Sequence, residues 1–143
     1  MIQARLYARG ERLCGFKTQS HGGDIVCAAV SMLCINTVNS LEALTSAPLE
    51  YRYDEGGGYI ECILPGILSN EETSSNEETP FNEVSDLPAE LLLRSLALGL
   101  ASVRDSYGGI NLQTVNLQTE EASGDFGFTI PSDIKGNTKR FKR

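Results

Sequence analysis

Apolar and polar residues alternate from the first positions of the chain. Ile2, Ala4, Leu6 and Ala8 are interleaved with Gln3, Arg5 and Tyr7, which predicts a strand over residues 1–8. Arg9 to Arg12 reads Arg-Gly-Glu-Arg, a turn, and Leu13–Thr18 predicts a second strand that completes a hairpin. Gln19 to Asp24 is loop by composition. The period then changes. Val26, Val30, Leu33, Val38, Leu41 and Leu44 recur at spacings near three and four, predicting a helix from Ile25 to about Thr45. Asp24 is its expected N-cap, because a carboxylate there can accept from the free amides of the first turn. Pro48 follows the helix end. Leu49–Tyr53 and Tyr59–Leu64 flank Asp-Glu-Gly-Gly-Gly and predict a second hairpin, closed by Pro65 and Gly66.

Residues 69–86 break the pattern. Ser69-Asn70-Glu71-Glu72-Thr73 recurs as Ser75-Asn76-Glu77-Glu78-Thr79, a polar repeat with too little apolar surface to offset the entropy of folding. An exposed, largely disordered insertion is expected. A second helix should follow, with Asp86 as N-cap, Pro88 in the first turn, an apolar face from Leu91 to Val103, and an end near Tyr107. Residues 110–143 hold a short repeat, Asn111-Leu112-Gln113-Thr114 and Asn116-Leu117-Gln118-Thr119, where one more strand can start. The expected order is β-β-α-β-β-α. It defines an α+β class in which a mostly antiparallel sheet packs against two helices. The domain is placed at residues 1–109 and a partly irregular C-terminal extension at 110–143.

The charge sharpens this division. The chain carries −7, but residues 69–86 hold six acidic residues and no Lys or Arg, so the remainder is only −1. The last thirteen residues hold Lys135, Lys139, Arg140, Lys142 and Arg143 against Asp133. A near-neutral body argues against direct nucleic-acid binding. No apolar run is expected to approach the ~18 residues of a bilayer span, and no apolar signal core is expected before residue 12. The expectation is a cytoplasmic protein with no membrane contact.

Cys14, Cys27, Cys34 and Cys62 form no CxxC pair, and a single histidine makes a common zinc site improbable, so neither metal nor cofactor is expected. Each thiol is either a small core residue or a nucleophile. Cys27 differs from the others in falling at the third helical position, where orphan amides and the positive end of the helix dipole favour a thiolate. His21, six residues earlier, is a candidate base across a Gly-Gly pair. Ser31 lies one turn beyond Cys27 on the same face. From spacing alone the packing reading of Cys27 stands beside the nucleophilic one.

The octapeptide Asp24-Ile25-Val26-Cys27-Ala28-Ala29-Val30-Ser31 closely resembles the signature of the ribosomal-processing cysteine protease family, Prp. The preceding His21, both hairpins and the first helix fit that family's order over roughly residues 1–107, apart from the insertion. The resemblance implies a homodimeric cysteine protease that removes the N-terminal extension of a large-subunit ribosomal protein of the L-twenty-seven family. Carried over by motif, Cys27 is the nucleophile, His21 the general base and acid, and Asp24 and Ser31 support the site. Two departures are visible. His21 stands between Ser20 and Gly22, where the family histidine follows Gly and precedes Ala, and the His-to-Cys segment is cut to five residues. That short loop motivates an alternative, a dimeric homologue that binds the ribosomal protein without cutting it. A redox-sensing thiol would need a resolving cysteine, and Cys34 lies about 10 Å from Cys27 by helical rise.

Overall fold

The computed structural model describes residues 1–68 and 80–117. Strands β1 (Ile2–Arg9) and β2 (Arg12–Gln19) form the first hairpin, with Leu6 opposite Phe16 and Ala4 opposite Thr18. Helix α1 (Asp24–Leu44) follows, then β3 (Glu50–Tyr53) and β4 (Tyr59–Ile63), the second hairpin. A single-turn helix α2 (Pro65–Leu68) precedes the long helix α3 (Pro80–Tyr107), and β5 (Ile110–Asn116) ends the described chain.

The five strands make one mixed sheet in the order β3-β4-β2-β1-β5. The pairs β1–β2, β2–β4 and β3–β4 are antiparallel, while β5 runs parallel to β1 with Ile2 opposite Ile110. The α+β class holds, with β5 joined to the sheet as its second edge. Residues 110–116, the expected start of an extension, are thus an integral strand. A parallel neighbour requires a long crossover, and α3 supplies it.

Pleat and helix periodicity meet in one core. Ile2, Ala4, Leu6 and Ala8 of β1 are buried with Phe16 of β2 and Cys62 of β4. Val26, Val30, Cys34, Val38 and Leu41 bring α1 to them, and Ala89, Leu93, Leu96 and Leu100 bring α3. By length and composition alone α1 is long and apolar enough to cross a bilayer, contrary to the sequence-based count. In the fold it is a core helix with one buried stripe. Buried Glu90 ties α3 to the first hairpin through Arg12, at 3.3 Å, and to Arg94, at 3.0 Å. Arg94 in turn donates to the Glu11 carbonyl at 3.0 Å.

Two helix starts differ from expectation. Gly23, with extended φ −61° and ψ 156°, is the N-cap of α1, and no side chain caps the turn. Asp24 is instead the first helical residue. Glycine serves at an N-cap nearly as well as a polar residue, so the helix can start one residue before the expected cap. Helix α3 begins at Pro80 rather than after Asp86, because the fixed φ of proline suits a first turn. Asp86 and Pro88 therefore lie inside the helix, where Pro88 forgoes one backbone hydrogen bond. Of the expected insertion, residues 80–86 are helical and 69–79 lie outside the described residues, as do 118–143 with the basic tail.

Candidate active site

The start of α1, the loop before it and the tip of the β3–β4 hairpin enclose a cleft of about 450 Å³. Cys27, Ala28, Ser31 and Ile35 line one wall, successive positions on a single face of α1. Tyr53, Asp54, Gly58 and Tyr59 of the hairpin line the opposite wall, and His21 stands at the loop between them. Cys27, His21 and Ser31 thus share one cleft. Asp24 does not line it; its side chain is exposed on the first turn.

Moving the N-cap to Gly23 makes Cys27 the fourth helical residue rather than the third. Its own amide donates to the Gly23 carbonyl at 2.9 Å, the first bond of the helix ladder. The amides with no intrahelical partner are those of the turn before it, Asp24, Ile25 and Val26. The Cys27 sulfur is half-buried and held by Gly22: the Gly22 N–H donates to Sγ at 3.1 Å, and the thiol donates to the Gly22 carbonyl at 3.4 Å. The loop therefore folds back on Cys27 through its backbone.

His21 is exposed and its ring lies over the hairpin. A Cβ built on Gly58 would stand 2.6 Å from His21 Nε2. The loop reaches this position through Ser20, whose φ of 74° is in the left-handed region and whose N–H donates to the Gly58 carbonyl at 2.9 Å. On the far side, the His21 carbonyl accepts from Met1 N at 3.1 Å.

The four thiols are all free but physically unequal. Burial pushes the Cys14 and Cys34 thiols up to about 12 and raises that of Cys62 as well, so all three stay protonated at neutral pH. Their complete burial makes them core packing residues, one of the two roles open to each thiol. Cys27 alone among them opens into the cleft. At pH 8, one equivalent of iodoacetamide is expected to label Cys27, with the other three reacting only after denaturation; peptide mapping by mass spectrometry reads this directly. Early labelling of a buried cysteine would contradict the burial argument.

Sequence reasoning missed the hairpin's share of the site. Tyr59 carries Lys17 Nζ 5.4 Å and Arg52 Cζ 5.7 Å from its ring centroid. Arg52 Nε also donates to Glu61 Oε1 at 3.3 Å, and the Tyr7 hydroxyl donates to Glu61 Oε2 at 3.4 Å. Burial raises the pKa of the Glu61 carboxyl, against the opposing pull of Arg52 and Lys17. This network braces the strand that leads into the tip. The available signal was the third glycine of the turn, one more than a two-residue turn demands. No group of metal-ligating side chains occurs among the described residues.

A half-buried thiol near a helix start, a histidine and a serine line one cleft, the residue types of a thiol hydrolase site. The family model of cysteine protease Prp matches residues 1–111, and the chain belongs to that family. The ribosomal processing cysteine protease Prp of Staphylococcus aureus is 26% identical over 87 residues, which covers 61% of this chain and 66% of that relative. The chain thus spans slightly under two thirds of the curated relative it matches. The crystal structure of that Staphylococcus aureus protease with a covalently linked product peptide has a TM-score of 0.61 at 23% identity, over 80% of this chain and 99% of the other. A Streptococcus mutans protein of solved structure has a TM-score of 0.58 at 28% identity, over 81% and 98%.

Proposed function

We propose that this chain is a processing endopeptidase that removes the N-terminal extension of a large-subunit ribosomal protein of the L-twenty-seven family. The observation that carries the reading is the single cleft shared by Cys27 and His21 in a chain of the Prp family. His21 takes the Cys27 proton and the thiolate attacks the scissile carbonyl. The oxyanion is met by the helix-start amides of Asp24 to Val26. The C–N bond breaks as the imidazolium protonates the leaving amine. Water, deprotonated by His21, then hydrolyses the thioester and returns the thiol. No cofactor is needed. Ser31 lines the cleft wall beside the nucleophile, and Asp24 acts on the first turn of the helix from outside the cleft.

Four further observations support this reading. The Staphylococcus aureus relative has been solved with a covalently linked product peptide and with a substrate peptide, as a peptide-cleaving role here requires. Asp54 and Glu55 line the cleft and suit a basic precursor. Leu87, Leu91 and Leu98 project from one side of α3 with 58%, 68% and 72% of their surface exposed, a face suited to a homodimer. Four free thiols fit a reducing cytoplasm.

The test is to incubate the protein with the host's extended ribosomal precursor and read the product by intact mass. The expected result is one cut that yields the mature N-terminus. The second reading, a homologue that binds without cutting, draws on the resting bonds of Cys27 to Gly22 rather than to His21. It predicts co-elution with the precursor and no change of mass.

A further inference from the structure

We propose that Gly58 is a positioning residue for the His21 imidazole, its missing side chain being the space in which the ring sits. The proposal rests on the reading of His21 as the base. Two independent contacts join this hairpin position to the histidine. The ring occupies the volume of the absent side chain, since a Cβ on Gly58 would lie 2.6 Å from Nε2, 2.8 Å from Cε1 and 3.4 Å from Cδ2. The Gly58 carbonyl also holds the residue before it, accepting from Ser20 N at 2.9 Å.

The wall behind the ring has little freedom to retreat. The Asp54 carbonyl accepts from Gly57 N at 2.9 Å, the Tyr59 carbonyl accepts from Asp54 N at 3.1 Å, and Asp54 Oδ1 accepts from Gly56 N at 3.0 Å. A methyl group at Gly58 would therefore move the imidazole rather than the turn. A ring displaced by about 1 Å from a proton-transfer geometry loses rate on the order of 10²-fold.

The neighbouring glycine is a matched control. Gly57 and Gly58 both have φ of +85°, so alanine is strained equally at either, but nothing lies within 4 Å of a Cβ at Gly57. Gly57→Ala measures the cost of strain in the hairpin; Gly58→Ala measures strain plus displacement of the ring. Asparagine tolerates positive φ better than alanine, so Gly58→Asn and Gly57→Asn serve if the alanine pair folds poorly.

His21 is the only histidine in the chain, so its ring cross-peaks in a ¹H–¹³C spectrum are unambiguous. The expected result is that the Gly58 variant moves those cross-peaks and lowers kcat by about 10- to 100-fold relative to the Gly57 variant, with KM little changed. In a His21→Ala background, the two glycine variants should have equal rates. Equal kcat and equal ring shifts in the Gly57 and Gly58 variants would overturn the proposal. A fully active His21→Ala enzyme would instead overturn the reading of His21 as base, an outcome that the single variant reports without either glycine change.

Discussion

Replacing Cys27 with Ala is expected to lower kcat for precursor cleavage by at least about 10⁴-fold, because without the sulfur the acyl intermediate has no atom on which to form. The fold should survive. Cys27 is only half-buried and packs at the edge of the core, with its sulfur bonded to a loop, so the loss of stability should stay within about 1 kcal/mol. Circular dichroism and the melting temperature check that clause. Cys27→Ser keeps the shape but offers a far weaker nucleophile to the same imidazole, so it too should fall by orders of magnitude. An alanine variant that still cuts would mean that another residue attacks. Cys14, Cys34 and Cys62 are poor replacements, since each is wholly buried and held protonated.

The separation of Cys27 from the other thiols was legible in the sequence, and for a physical reason. Local pattern places a cysteine near a helix start, and a helix start has a field that acts within one turn. What local pattern could not do was choose the cap. The expected cap was Asp24, and the backbone took Gly23, shifting Cys27 by one position and committing its amide to the helix. The amides left without a helical partner are therefore those of the turn before it, Asp24 to Val26.

Long-range relations were the harder part. The alternation in β1 marks Arg5 and Tyr7 as the outward set, yet both are buried, at 9% and 2% exposure. Tyr7 bonds Glu61, a partner 54 residues away that no alternation rule supplies. The parallel pairing of β5 with β1 is of the same kind, since it depends on the crossover by α3 rather than on any short motif. The contribution of the hairpin to the cleft follows from this topology. Sheet order sets β4 beside β2, so the tip between β3 and β4 arrives next to the loop that leaves β2. The sequence offered only three glycines there, which read as a turn and nothing more. In the fold, Gly58 borders the imidazole and Tyr53 and Tyr59 wall the cleft.

The histidine carries the second large effect. His21→Ala should lower kcat by about 10²- to 10⁴-fold at neutral pH, the range that a positioned general base and acid supplies. The variant keeps Cys27, so unlike Cys27→Ala it should still be labelled by iodoacetamide. The sign of its pH dependence follows from the chemistry. Without the imidazole, the thiol must lose its proton to solvent, so acylation should rise steadily with pH over the range where hydroxide increases. On the proposed mechanism the imidazole does that work in the unaltered protein, and the rate should level off. Breakdown of the tetrahedral intermediate sharpens the contrast, because the leaving amine must also be protonated and a substrate with a good leaving group does not need that help. A p-nitroanilide or ester of the cleavage-site peptide should therefore recover part of the loss in His21→Ala and none in Cys27→Ala. The two losses are measured as pH profiles of kcat on both substrates. A flat profile for His21→Ala, or equal losses on both substrates, would remove His21 from proton transfer. The short loop from His21 to Cys27, with its sulfur bonds to Gly22, makes this the most informative variant in the chain, because it asks whether five residues suffice to bring an imidazole to a thiol.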